Sequence, residues 1–190
     1  ETTGNPFGMD NEFNFNISGE MDNGMAVSYF MGMGEQAGGM DSAKLSVNMG
    51  DLGTIAFDQG SGSGLANYDD MTPKANEEVW DGLDTTASGL SGRLGSSGRI
   101  QYTNSAGGVS IDAAYGPGSS TNNADGAASG SGEGGGYSVA FVVSGDAVGV
   151  DGLTVGGGYG ETEAGAGNSD KEDTSIFATY AMGAVTVGFQ

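Results

Sequence analysis

The chain of 190 residues has no cysteine and no histidine. Without Cys there is neither a disulfide framework nor a thiolate metal site. Without His the commonest catalytic base and metal ligand is gone. Positive charge is scarce as well: five Lys and Arg stand against 25 Asp and Glu, a formal charge of −20. Phosphate backbones need a basic surface, so nucleic acid is excluded as a partner. Only three residues are Pro and one is Trp. No apolar run approaches the roughly 20 residues that a membrane-spanning helix needs. The opening Glu1-Thr-Thr-Gly4 has no signal-peptide pattern, and the chain is expected to be mature, trimmed or incomplete.

What the chain has in quantity is glycine, at 39 residues, and alternation. High glycine with strong negative charge is also the composition of disordered segments, but the alternation is too regular for disorder. Phe13, Phe15 and Ile17 fall on one parity, with Asn14, Asn16 and Ser18 on the other. Period two is the mark of a strand with one apolar and one polar face. Asp22-Asn23-Gly24 signals a tight turn, and Met25, Val27, Tyr29 and Met31 return along the apolar face. Leu45, Val47 and Met49 mark a third strand and Ile55 and Phe57 a fourth, joined by Gly50-Asp51-Leu52-Gly53.

Alternation resumes near Arg93, with Leu94, Ile100 and Tyr102 on one parity. Val109, Ile111, Ala113 and Tyr115 mark a sixth strand, and Tyr137, Val139, Phe141 and Val143 a seventh. Leu153, Val155 and Tyr159 mark an eighth, Ile176, Ala178 and Tyr180 a ninth, and Val185, Val187 and Phe189 a tenth. Turns near residues 23, 51, 106, 150 and 183 are tight, whereas the connections 32–42, 60–92, 116–135 and 161–173 are long. Consecutive antiparallel hairpins with this asymmetry place every long connection at one end.

The connection 60–92 organises the rest. Most connections span about 4–6 residues. This one holds the only Trp and its own apolar anchors, Leu65, Tyr68, Val79, Trp80 and Leu83. A loop of that kind is usually functional or disordered, and the regular strands around it favour function.

Alternation alone leaves two architectures open, a soluble barrel or sandwich with its apolar face inside and a membrane barrel with that face outside. Three features favour the membrane. The polar parity is fully polar in several strands, as beside a water-filled lumen. Tyr115, Tyr137 and Tyr159 flank long connections, as interfacial girdles do. Short turns alternating with long acidic or Gly-rich loops match outer-membrane barrels. The expectation is an all-β, antiparallel transmembrane β-barrel with Phe13, Phe15, Val47, Ile55, Ile111, Val139, Phe141 and Val155 facing lipid. Asn14, Asn16, Asp58, Arg99 and Asp112 then face the lumen. Lys44 and Arg93 share that lumenal parity, while Lys74 lies in the insert and Lys171 in an outer loop, so no basic residue meets lipid. A secreted acidic β-sandwich that binds a partner remains the soluble alternative. A Gly-rich calcium-binding roll is disfavoured, because the glycines lack its nonapeptide period.

Chemistry has few carriers here. Asp69-Asp70 and Glu77-Glu78 are paired carboxylates, which glycoside hydrolysis would require at a set separation. With no His and no nucleophile motif the chain reads as non-enzymatic. The same four residues are the candidate oxygen ligands for Ca²⁺, although no Asp-x-Asp-x-Asp-Gly loop accompanies them, and no other cofactor is expected.

The two hairpins of Phe13–Asp58, the long acidic insert after them and the hairpin Arg99–Tyr115 together resemble a general bacterial porin. The likeness spans nearly the whole chain and rests on architecture; the insert has no Pro-Glu-Phe-Gly-Gly motif. It implies a single barrel domain over 1–190, about ten strands of a sixteen-stranded barrel, with 60–92 as the third loop that folds inward and narrows the pore. Asp69, Asp70, Lys74, Glu77, Glu78, Asp81 and Asp84 would then line the constriction, facing Lys44, Arg93, Arg99 and Asp112 on the wall. It further implies a homotrimer among the lipid and lipopolysaccharide of a Gram-negative outer membrane, with long loops extracellular and short turns periplasmic. Such a protein passes ions and small hydrophilic solutes without chemistry. A complete ten-stranded barrel, adhesin- or protease-like, is the membrane alternative. The acidic excess of the insert predicts a modest cation preference.

Overall fold

The computed structural model describes residues 12–34, 42–59, 64–68, 71–72, 98–117, 135–163 and 169–190. Each alternating stretch forms a strand: β1 (Phe13–Glu20), β2 (Ala26–Met33), β3 (Ser42–Asn48), β4 (Thr54–Gln59), β5 (Arg99–Ala106), β6 (Val109–Gly116), β7 (Gly136–Ser144), β8 (Leu153–Thr162), β9 (Lys171–Met182) and β10 (Val185–Phe189). They make one antiparallel sheet in sequence order, β1 through β10, in which β1 and β10 are the edges and the sheet is not closed on itself.

The register carries one parity unbroken across the sheet. Phe15 opposes Met31, Leu45 opposes Phe57, and Val47 opposes Ile55. Ile55 meets Tyr102, Ile111 meets Phe141, Val143 meets Val155, and Tyr180 meets Val187. All eight residues expected to face lipid share this side. Many of its large side chains are exposed, including Phe13, Ile17, Phe57, Ile100, Ile176 and Phe189. Soluble monomers rarely expose apolar patches beyond a few hundred Å², and this face spans ten strands. The opposite side carries Asn14, Asn16, Lys44, Arg99, Gln101, Asp112 and Ser138.

The turns joining the hairpins sit at one end. Gly24, Gly107, Gly108 and Gly183 take positive φ there. Gly53 closes the turn after a single 3-10 turn, Gly50–Leu52, with φ +86°. A Cβ on it would press on the carbonyl of Thr103 in β5, so the turn and the β4–β5 approach both require glycine.

Two local readings change. The turn near 150 is a one-turn helix, α1 (Gly145–Val148), followed by a turn at Asp151-Gly152. The polar residues 161–173 do not form one loop: β8 continues to Thr162 and β9 begins at Lys171, with Glu161 opposite Glu172 and Thr162 opposite Lys171. Lys171 is therefore a strand residue. Ladder hydrogen bonds do not depend on side-chain polarity, so a strand can continue where alternation fades.

Candidate functional site

The polar side of the sheet is not uniformly open to water. After β4 the chain turns back and lays a short 3-10 helix, Gly64–Tyr68, against β6, β7 and β8. Five residues cannot hold such a position by their own hydrogen bonds, and the wall supplies the rest.

Asp112 of β6 is the centre. Its Oδ1 accepts from the Gly64 N–H at 2.9 Å and its Oδ2 from Asn67 Nδ2 at 2.6 Å. Gln101 Nε2 on β5 donates to both oxygens, at 3.0 and 3.2 Å. Gln101 in turn accepts from Lys44 Nζ of β3 at 2.5 Å through Oε1. The Asp112 side chain is only 4% exposed, and hydrogen bonds to a charged group are each stronger than neutral ones. Ser138 of β7 adds an acceptor for the Leu65 N–H at 3.1 Å. Gly64 has φ +59°, and a Cβ there would collide with the Ser138 hydroxyl and crowd Ala114. Glycine is thus required where the segment first touches the wall.

Apolar contacts complete the seat. Leu65 is 3% exposed, and its side chain lies over Gly158 and Gly160 of β8. Phe177 of β9 has no exposed surface; its ring covers Gly156 and stacks on Tyr68 with centroids 6.0 Å apart and planes 13° apart. Gln190 Nε2 donates to the Tyr68 carbonyl at 2.9 Å and to Ser175 Oγ at 3.1 Å, while its Oε1 accepts from the Met71 N–H at 2.8 Å. Burial, and then the nearby Asp112 carboxylate, raise the Tyr68 phenol above its ordinary 10.0. It is neutral at physiological pH.

The sheet has one exposed apolar face, and the segment Gly64–Tyr68 lies on its polar face. A family model of Gram-negative porins matches residues 1–190. The chain belongs to the Gram-negative porin family. No curated protein matches it. The porin is thus a protein of the bacterial outer membrane and not an enzyme, and its family implies that the sheet is part of a barrel.

In this porin the wall residues Lys44, Gln101 and Asp112 form one chain of hydrogen bonds. Arg99 is on the same side and 5% exposed, one row along from Gln101. Arg93, Asp69, Asp70, Lys74, Glu77, Glu78, Asp81 and Asp84 lie outside the described residues, and with them the four candidate Ca²⁺ ligands. Among the described residues no cluster of three or more acidic side chains is placed to hold a metal ion. Contributors that went unassigned in sequence include Gln101, Ser138, Phe177 and Gln190. Phe177 had a readable signal, since on its own strand it is a large aromatic residue on the parity shared by Asp173, Ser175 and Thr179.

Proposed function

We propose that this porin forms a water-filled channel through which ions and small hydrophilic solutes diffuse passively across the outer membrane. The observation that carries the reading is the seating of Gly64–Tyr68 on the polar face of β6–β8. A loop that turns into the barrel narrows a lumen; it has no such role on the outside of a sandwich. In this reading residues 60–92 are the constricting loop. Asp69, Asp70, Lys74, Glu77, Glu78, Asp81 and Asp84 face the aperture, and Lys44, Arg93, Arg99 and Asp112 belong to the wall around it.

The barrel is sixteen-stranded and assembles as a homotrimer among lipid and lipopolysaccharide, with its long loops extracellular and its short turns periplasmic. Unpaired strand edges are not tolerated in hydrocarbon, so β1 and β10 find partners in the assembled wall.

Reconstitution of the protein extracted from outer membranes into planar bilayers tests the function. Stepwise conductance increments are expected, together with liposome permeability to small sugars that falls with solute size. A protein that inserts but conducts nothing would overturn the channel. Chemical cross-linking in detergent tests the trimer, and a monomer as the largest species would remove it.

A further inference from the structure

The polar hub around Asp112 and Ser138 holds Gly64, Leu65 and Asn67 to the wall by hydrogen bonds. A second, apolar set of contacts holds the segment further along the sheet. Phe177 projects from β9 into the polar side, and nothing on a water-lined wall calls for a fully buried aromatic ring there. Its ring fits because β8 offers Gly156 beneath it, where any Cβ would strike the ring. Tyr68 then stacks on the ring. Leu65 drops onto Gly158 and Gly160 of the same strand, where a Cβ on Gly158 would meet its Cδ1 at 2.8 Å. The loop segment is therefore clasped at two apolar points, on a strand stripped of side chains beneath both.

The geometry points to Phe177 and Leu65 as the residues that set the aperture of this channel, by fixing the height at which the inward loop is clasped to the wall. The inference rests on the channel reading above. Phe177 acts through Tyr68 and touches no solute, so it is a positioning residue. Apolar burial is the appropriate force for this job: it is not screened by salt, whereas charge pairs in a water-filled lumen are. The ring also limits approach, because Tyr68 cannot come closer to β9 than the thickness of Phe177.

The test uses the whole protein in planar bilayers, with single-channel conductance and the largest neutral polyethylene glycol that enters as readouts. Phe177→Ala and Leu65→Ala are expected to raise conductance by up to about twofold, since current follows the open cross-section, and to admit a larger polymer. Variants that conduct with unchanged conductance and polymer limit would overturn the proposal. A wild-type protein that inserts without conducting would instead overturn the channel reading itself.

Should Phe177→Ala fail to insert, a second measurement decides the point. The chain has no cysteine, so Ala114→Cys, on the wall under Gly64 and 4% exposed, is a unique reporter. Its labelling by an aqueous thiol reagent is expected to be slow alone and at least severalfold faster when combined with the conservative Phe177→Leu. Equal rates in the two backgrounds would overturn the clasp.

Discussion

The polar wall has two halves that share a parity and differ in what covers them. On β1–β3 it carries Asn14, Asn16, Ser18, Phe30, Lys44 and Ser46, and several of these line an open groove. On β6–β8 the corresponding positions carry Ala114, Ala140, Gly156, Gly158 and Gly160, and the loop segment lies on them. Both halves present the same apolar side outward. The difference lies in side-chain volume on the inner side: mostly larger side chains where the groove is open, and Ala or Gly where backbone must approach. Alternation thus separates the outer side from the inner one, and residue size within the polar parity marks where the loop segment rests.

The largest effect is expected from a substitution that ignores this division. Phe141 is near the middle of β7 on the outer side. An arginine at mid-membrane on the lipid face costs about 2–4 kcal/mol, so Phe141→Arg should cut refolding into lipid vesicles, read as loss of the heat-modifiable band on gels. Asn16→Arg places the same charge on the open inner half and should insert as the wild type does. Equal loss from both would mean that the sides are assigned the wrong way round.

A smaller effect separates the two inner halves. Asp112→Ala removes an acceptor that serves Gly64, Asn67 and Gln101 at a buried position. Hydrogen bonds to a charged group are each worth about 1.5–3 kcal/mol, so the seat should weaken by roughly that amount. A factor of ten corresponds to about 1.4 kcal/mol, and the Ala114→Cys reporter should accordingly label at least tenfold faster beside Asp112→Ala. Asn16→Ala, on the open half, should leave the rate unchanged. If Asp112→Ala did the same, the hydrogen bonds around Asp112 would not be what holds the loop.

Much of this division could be read from residue order, and the unread part has a physical reason. Each strand is marked by its own alternation, and Asp22-Asn23-Gly24 and Gly50-Asp51-Leu52-Gly53 fix the first two hairpins locally. Strand ends were less visible at Glu161–Thr162 and Lys171–Asp173, because polar residues at the end of a strand carry no alternation. The seat was not visible at all. Asp112 reads as a lumenal charge, and its bonds to Gly64 and Asn67 span 48 and 45 residues of sequence. Gln190 reaches Tyr68 across 122. No local pattern encodes such meetings. Phe177 and the glycines at 156, 158 and 160 did break the pattern of a polar inner face, one by being large and apolar and the others by having no side chain. A run of such exceptions on one parity is the trace that a buried loop leaves in a strand.

The smallest expected effect is on ion preference, and it sharpens the same contrast. In the acidic insert Asp69, Asp70, Glu77, Glu78, Asp81 and Asp84 outnumber Lys74. Rings of acidic side chains favour cations. The Asp112 carboxylate is different: it is covered by the loop and already receives hydrogen bonds from three residues, so mobile ions have little access to it. Selectivity should therefore come from the insert and not from the covered wall. Under a KCl gradient the reversal potential should show a modest cation preference that diminishes as salt rises, since the Debye length falls from about 10 Å at 0.1 M to about 3 Å at 1 M. Neutralising Glu77, Glu78 and Asp81 together should move the reversal potential towards zero, whereas Asp112→Asn should move it much less. The reverse order would place Asp112 in the open ion path and the three insert residues away from it. Anion preference in the wild type would mean that basic wall groups such as Lys44 and Arg99 dominate the field at the narrowest point.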